Sequence, residues 1–409
     1  MGAAAAEHSD YRWLIESQAA ASLLANLGQD ARPALTLLTD LRGSLSSERA
    51  RLIVEQVALR RRAAAKFGPA AASMFFTPIH LEQATDMWVA AYKASRFAAL
   101  GDCTNVHDFC CGIGGDAAAL AGAGPCAGYD ASSVACWMAE ANVRRLSGNS
   151  DRFTATATDV SPLLPAQDEA WHVDPDRRPG GRRTTTLENY SPGPEVIERW
   201  FAASPDGAVK LAPAASPPPR WQAGAELEWI SSHRECRQMV AWFGRLATAP
   251  GWRKATVLTT AGPREVRPST FVGMPERAAA MAAEPGAWLF DPDPSLVAAG
   301  LVGACANQYG LATLGFGGVY LTGDQPVDEP LLRMFAVQDC LPLRAKTVAR
   351  YLAARGVGHI EIKTRGVDVD PARFRQELKL CGDNCATVLL TRIVERRVAI
   401  VAERCDAAS

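Results

Sequence analysis

Several absences bound this chain before any motif is considered. No stretch of its 409 residues approaches the run of about 18 apolar residues that a membrane span needs. The alanine-rich start, MGAAAAEHSD, lacks both the basic segment and the apolar run of a secretion signal, so a cytoplasmic protein is expected. Charge of one sign is missing too: 43 Lys and Arg face 44 Asp and Glu, a net charge of −1. Of 11 cysteines, the one close pair outside a glycine-rich turn is Cys381 and Cys385 in CGDNC. No second pair and no suitably spaced histidine accompanies it, so no metal site is expected. The other cysteines, among them Cys110, Cys111, Cys126, Cys136 and Cys305, sit in apolar contexts and suit reduced thiols better than a disulfide framework. No fixed-period repeat is visible, and 48% hydrophobic residues exclude disorder as the default.

What is present falls into four regions. Residues 1–100 read as helical, with apolar residues three and four apart in YRWLIESQAAASLLANL and ERARLIVEQVALRRRAAAKF. Residues 101–261 alternate short apolar runs (NVHDFCC, CAGYD, RFTATATDV, AWHVD, GAVKLAP, AELEWIS, KATVLTT) with helix-length segments. That alternation predicts a mostly parallel sheet covered on both faces. Residues 262–339 are richer in Gly and Pro and read as a connecting region. Residues 340–409 predict a small α/β domain: a helix at 343–354, the strand HIEIKTR, a helix in PARFRQELKL, and the strands ATVLLTR and RVAIVAE. This last region is the basic one, with 13 Lys and Arg against 8 Asp and Glu, which permits a polyanionic partner without requiring one.

The chemistry concentrates between residues 106 and 183. VHDFCCGIGGDAAALA is a strand, a glycine-rich turn and a helix start, an arrangement in which backbone amides approach a carboxylate or phosphate. Gly112, Gly114 and Ala117 also fit the dinucleotide fingerprint, so a nicotinamide-dependent oxidoreductase stays open. Three acids end the next three strands: Asp130 in CAGYD, Asp159 in TATDV and Asp174 in HVDP. Parallel strands point such residues into the crevice where open α/β sheets bind ligands, and dinucleotide binding needs only the first of them.

These motifs, DFCCGIGG (Asp108, Gly112, Gly114, Gly115) followed by Asp130, Asp159 and DPDRR, resemble the class I S-adenosylmethionine-dependent methyltransferases. Within them the chain is similar to bacterial methyltransferases with a C-terminal THUMP-like domain, through RRRAAAKF, LEQAT, VKLAP, EWIS, HIEIKTRGV and LKLCGDN. The resemblance implies a Rossmann-like doubly wound α/β sheet, and S-adenosylmethionine as cofactor. It implies that Gly112 to Gly115 lie against the methionine portion, Asp130 on the ribose and Asp159 near the adenine, with Asp108 in the same motif. It also implies an RNA substrate, rRNA or tRNA.

At the acceptor side the chain departs from methyltransferases that act on base amines, which commonly follow the acid with two prolines and an aromatic. Here Asp174 is followed by Pro175, Asp176, Arg177 and Arg178. Asp174 can accept a hydrogen bond from an amine nucleophile. Arg177 or Arg178 can stack on a base and pair with phosphate, or simply form a salt bridge with a carboxylate. Arg182 and Arg183, beside Gly180 and Gly181, Tyr190 in LENYSP and Lys210 in VKLAP are further candidates for substrate contact. Tyr190 packed over the sheet edge and Lys210 snorkelling outward are their plain structural alternatives. Arg60, Arg61, Arg62 and Lys66 read as a solvated helix face or an RNA contact, and His107 and His172 as core histidines. Gln83 and Thr85 in LEQAT gain no role from spacing. A small-molecule or protein acceptor and a non-catalytic binding protein remain open alternatives, and the oligomeric state is not readable.

Overall fold

The computed structural model describes residues 2–101, 105–147, 150–178, 184–262, 265–275, 278–315 and 320–405. Two compact units divide the chain: Met1–Glu226 with Met239–Gly251 and Thr260–Val266, and Leu227–Gln238 with Trp252–Thr259 and Arg267–Ser409.

The first unit begins with helices α1 (Gly2–Glu16), α2 (Gln18–Leu27), α3 (Ala34–Leu41), α4 (Ser47–Phe67), α5 (Pro78–Gln83) and α6 (Met87–Ala98). Side chains of Ser17, Ser46, Thr77 and Asp86 accept the free amides that start α2, α4, α5 and α6. The apolar stripe of α4, including Leu52, Ile53, Val57 and Phe67, is buried with Leu14, Leu24 and Met74 to Phe76. Part of the basic run on α4 turns to backbone carbonyls. Arg60 Nε donates to Met74 O at 2.8 Å, and Lys66 Nζ donates to Leu81 O, Glu82 O and Ala84 O at 2.8, 2.9 and 2.8 Å. Lys66 thus satisfies the carbonyls that end α5 and fixes where that short helix sits.

The sheet of this unit follows: β1 (Val106–Phe109), α7 (Gly115–Ala123), β2 (Cys126–Asp130), α8 (Ser133–Ser147), β3 (Phe153–Ala157), β4 (Ala170–Val173), α9 (Pro194–Ala203), β5 (Gly207–Leu211) and α10 (Pro219–Gly224), and after β6 (Glu226–Ser232) the strand β7 (Glu235–Trp242) joins it from Met239. Strand order within the unit is β3-β2-β1-β4-β5-β7. The first five strands are parallel and β7 is antiparallel to β5. Winding reverses between β1 and β4, which makes their carboxyl ends the switch point of a Rossmann-like doubly wound fold. Period-two alternation decides which face each side chain takes. Asp108 and His172, opposite each other in register, lie on the side of α6 and α7. Phe109 and Trp171 lie on the other side, their rings 4.2 and 5.9 Å from Trp200 of α9.

The second unit takes β6 from Leu227, β8 (Arg253–Gly262) in large part, and most of β9 (Glu265–Gly273), with β6 and β8 parallel. It continues with β10 (Met281–Ala282), β11 (Trp288–Pro292), α11 (Pro294–Ala298), α12 (Val302–Tyr309), β12 (Ala312–Leu314), β13 (Leu321–Gly323) and β14 (Leu332–Pro342). α13 (Ala345–Ala353), β15 (Val357–Thr364), α14 (Pro371–Leu378), β16 (Asn384–Ile393) and β17 (Arg396–Cys405) complete it. The second sheet has the order β10-β12-β13-β11-β14-β17-β16-β15, with β15 and β16 parallel across the α14 connection. Val348 and Leu352 of α13 and Phe374 and Leu378 of α14 form one core with Val388, Leu390 and Val401 of the sheet. Lys363 Nζ and Arg365 Nη2 reach the buried Asp291 of β11 at 3.2 and 2.8 Å. Because β11 lies four places from β15 in strand order, the sheet must curl for that contact to form.

Gly207 starts β5 opposite Trp171, and a Cβ added there would fall 2.1 Å from two ring carbons of that fully buried indole. Gly207→Ala is expected to destabilise the first unit by about 1–3 kcal/mol or more, as overpacking does. A thermal melt checks this, and an unchanged midpoint would contradict the packing of β4 on β5.

Candidate functional site

A cavity of about 520 Å³ opens at the carboxyl ends of β1, β2, β3 and β4. Its floor is the turn from β1 into α7. Cys110, Gly112 and Gly114 have φ of 60°, 53° and 80°, the left-handed region that glycine enters without penalty. A Cβ on Gly114 would press on α8, 3.1 Å from Ala139 Cα. Gly114 stands at the N-cap of α7, whose first amides lack intrahelical partners and suit a ligand carboxylate. Asn142 of α8 holds the turn from behind, donating to Ile113 O and Phe75 O at 2.9 Å each while accepting Phe75 N–H at 2.7 Å. Burial, then the charge of Asp130, raises the Cys110 thiol well above its ordinary range, which disfavours it as a nucleophile.

Asp130 and Asp159 are oriented by backbone amides and Asp174 by a lysine. Asp130 Oδ2 accepts Gly112 N–H at 3.0 Å and Oδ1 accepts Ser132 N–H at 2.9 Å, so both oxygens keep a lone pair for a ligand hydroxyl. Asp159 is exposed; its Oδ1 accepts Ser161 N–H at 2.9 Å, and hydrogen bonds from Ser161 hold its carboxyl below the usual range. Asp174 follows β4 directly. Its Oδ2 lies 2.6 Å from Lys210 Nζ, which also donates to Gln83 O at 3.1 Å. Asp176 and Ser191 exchange two backbone hydrogen bonds of 2.8 and 3.0 Å, which fix the loop after β4.

Opposite these acids stands α5, which lines the cavity with Ile79, His80, Glu82 and Gln83. It is clasped to the loop after β4 by Glu82 to Arg178 Nη2 at 3.0 Å and by Gln83 Nε2 to Asp176 Oδ1 at 3.1 Å. His80 Nδ1 meets Thr77 Oγ1 at 2.7 Å. Burial lowers the His80 ring's pKa, against the opposing charges of Asp130 and Asp176.

Beneath the cavity runs a buried chain of polar groups. Asp108 Oδ1 meets His172 Nδ1 at 2.7 Å, and His172 Nε2 meets Lys93 Nζ at 3.0 Å. Lys93 Nζ meets Asp116 Oδ1 at 2.7 Å, and Asp116 Oδ2 accepts the Thr85 hydroxyl at 2.7 Å. Asp108, Lys93 and His172 are each 1% exposed. Burial raises the carboxyl pKa of Asp108, and it lowers that of the Lys93 ammonium. Asp116 feels the same burial but is held below the ordinary range by nearby cations, Lys93 foremost.

The donors present fit S-adenosylmethionine. Asp108 lines the cavity, and its Oδ2 is a buried carboxylate oxygen with no hydrogen-bond partner, an acceptor awaiting a cation. Free helix amides suit a carboxylate and Asp130 suits paired hydroxyls, so the ammonium, carboxylate and ribose of that cofactor each find a counterpart.

Of the residues singled out from sequence, Asp108, Gly112, Gly115, Asp130, Asp159, Asp174, Arg177 and Arg178 all line this one cavity, with Gly114 buried in its turn. Lys210 does not line it and instead touches Asp174 from behind. Tyr190 is buried and also away from the lining; burial raises its hydroxyl, with the Arg177 charge among the opposing influences. Arg182 and Arg183 lie outside the described residues. Sequence reasoning assigned nothing to His80, Glu82 and Lys93. The signal near them was LEQAT, which contains Glu82, Gln83 and Thr85, and its meaning depends on a fold that brings residues 78–85 over the sheet.

Comparison with known proteins places the whole. Residues 332–404 match the family model described as THUMP domain-like. The chain is 33% identical over 355 residues to a protein of Mycobacterium tuberculosis described as an uncharacterised S-adenosylmethionine-dependent methyltransferase, covering 85% of this chain and 94% of that one. The same match is found in a second strain of that organism. A crystal structure of a candidate methyltransferase from Porphyromonas gingivalis superposes with a TM-score of 0.75 at 18% identity, covering 94% of this chain and 98% of that chain. A dinucleotide-dependent oxidoreductase is thereby set aside, and the chain belongs to the S-adenosylmethionine-dependent methyltransferases, with a THUMP-like domain at its C-terminal end.

Proposed function

We propose that the protein methylates an amine of a nucleobase in RNA, with Asp174 orienting the acceptor. The observation that carries this reading is the placement of Asp174 in the same cavity as Asp108, Gly112 and Asp130, with Oδ2 occupied by Lys210 at 2.6 Å. The other oxygen, Oδ1, is left to accept an N–H from the acceptor and turn its lone pair in a defined direction. When bound, S-adenosylmethionine supplies a methyl carbon on a positively charged sulfur, open to attack by such a lone pair. The protein's task is alignment, which by itself contributes up to ~7–11 kcal/mol. Asp174 is also placed to receive the proton that the acceptor nitrogen sheds.

Arg177 and Arg178 then divide their roles. Arg178 is tied to Glu82 and closes the wall of the cavity. Arg177 lines the cavity with no carboxylate partner among the described residues, so its flat guanidinium can stand where related enzymes of base amines place an aromatic.

RNA as the acceptor class is supported by the THUMP-like match and by the excess of 13 cations over 8 anions in residues 340–409. Lys363 and Arg365 are spent internally on Asp291, so they do not count toward that surface. Arg344 before α13, with Lys346 and Arg350 on it, is exposed and makes up the favoured phosphate contacts.

Asp174→Ala is expected to lower turnover on RNA from cells lacking the protein by ~10²–10⁴-fold while calorimetry finds S-adenosylmethionine binding unchanged. Unchanged turnover would remove Asp174 from the site. RNA binding should weaken linearly in log–log dependence on salt, and the double change Lys346→Gln with Arg350→Gln should flatten that slope by roughly one to two. A slope untouched by the double change would remove α13 from the contact, and no RNA binding at any salt would favour a small-molecule or protein acceptor.

A further inference from the structure

The polar chain below the cavity is built more carefully than a structural salt bridge requires. Asp108 and His172 stand directly opposite on neighbouring parallel strands, so β1 and β4 fix their separation through backbone pairing. Lys93 arrives from α6, 79 residues away in sequence from His172, and Asp116 from the first turn of α7. An ammonium can only donate hydrogen bonds. With Lys93 Nζ at 3.0 Å, His172 Nε2 must therefore accept, which leaves the ring proton on Nδ1, where it is donated to Asp108 Oδ1 at 2.7 Å. The chain then has one direction throughout: Lys93 to His172 to Asp108. It leaves Asp108 Oδ2 without a partner on a residue that lines the cavity.

One carboxylate oxygen of the chain is left over. Lys93 pairs with Asp116, 2.7 Å away and further held by Thr85. Asp108 Oδ2 is left as a buried carboxylate oxygen without a partner, a state that a protein avoids either by protonation or by a bound cation.

We propose that His172 and Lys93 are positioning residues for cofactor capture: they aim Asp108 so that Oδ2 takes the α-ammonium group of S-adenosylmethionine. This rests on that cofactor occupying the cavity. Capture of the cation lowers a carboxyl that burial holds up, so binding releases protons over the pH range in which free Asp108 still carries one. The groups that set the balance are His172 on β4, Lys93 on α6 and Asp116 on α7; Lys210 on β5 and Asp174 after β4 act on Lys93 in turn. Asp108 in the free protein is held above the ordinary carboxylate range by burial, and a bound cation lowers it. Affinity is therefore weakened as pH falls through the free-protein midpoint, and levels off above it. Removing the Lys93 charge leaves ionised Asp108 less favoured and moves that midpoint to higher pH.

The test is calorimetric titration of the full chain with S-adenosylmethionine over a range of pH, each in two buffers of different ionisation enthalpy so that protons released are counted. Wild type should release a fraction of a proton that declines as pH rises. Lys93→Met should move the affinity profile to higher pH and leave its alkaline limit near that of wild type. On the acid side, binding should weaken about 10-fold for every pH unit that the midpoint rises. His172→Gln, which retains a donor toward Asp108, should move the profile less. Asp108→Asn should abolish the proton release. Binding to wild type with no proton release at any pH would overturn the proposal, as would a Lys93→Met loss equal at every pH, the mark of a merely structural role. If Lys93→Met does not fold, His172→Gln decides: a profile unmoved from wild type would overturn the positioning role. No binding to wild type at any pH would instead overturn the cofactor's place in this cavity, and the relay with it.

Discussion

The parallel pairing of β1 with β4 is the constraint on which the rest of the site depends. It sets Phe109 opposite Val173 and Asp108 opposite His172, so the next residues on both strands, the glycine turn and Asp174, emerge side by side. Because the winding reverses here, no crossover helix covers the opening, and a crevice is left at the carboxyl ends. The two faces of the pair are used differently. Toward α9 it is aromatic and dry, with Phe109, Trp171 and Trp200 packed together. Toward α6 and α7 it carries the polar chain from Asp108 to Thr85.

The N-terminal helices complete this crevice rather than merely decorating the fold. α5 has only six residues and would not persist without tertiary support. It has that support at both ends: the Thr77 cap at its start and the Lys66 ammonium on its last carbonyls. From this fixed position it offers Glu82 and Gln83 to the loop after β4, and its Gln83 carbonyl to Lys210. This wall of the cavity is thus assembled from segments 79–85 and 174–178, with Lys210 behind Asp174, and only the fold brings the three together.

The strand-end acids were legible in the sequence because parallel strands force their C-terminal residues into a common crevice, whatever the helices between them do. The glycine turn was legible for a similar local reason, since Gly112 and Gly114 adopt positive φ. α5 was not, because six residues carry no periodicity. Lys93 was hidden as one of two basic residues in a mostly apolar helix, its partners Asp116 and His172 far along the chain. In the second unit, β10, β12 and β13 have two or three residues each and are too short for alternation to register, so residues 262–339 read as a connection although β10 to β14 belong to the second sheet. The helix–strand order of residues 343–404 was plain because each element there is eight or more residues long.

The central claim is that this cavity transfers a methyl group to a base amine in RNA. The most direct measurement supplies S-adenosylmethionine labelled in its methyl group, together with total RNA from cells lacking the protein, and then digests the RNA to nucleosides for mass spectrometry. The account predicts label on an exocyclic or ring nitrogen of one nucleoside, at a level that rises with enzyme. Label confined to carbon or ribose oxygen, or absent from RNA while appearing on protein or small molecules, would contradict it.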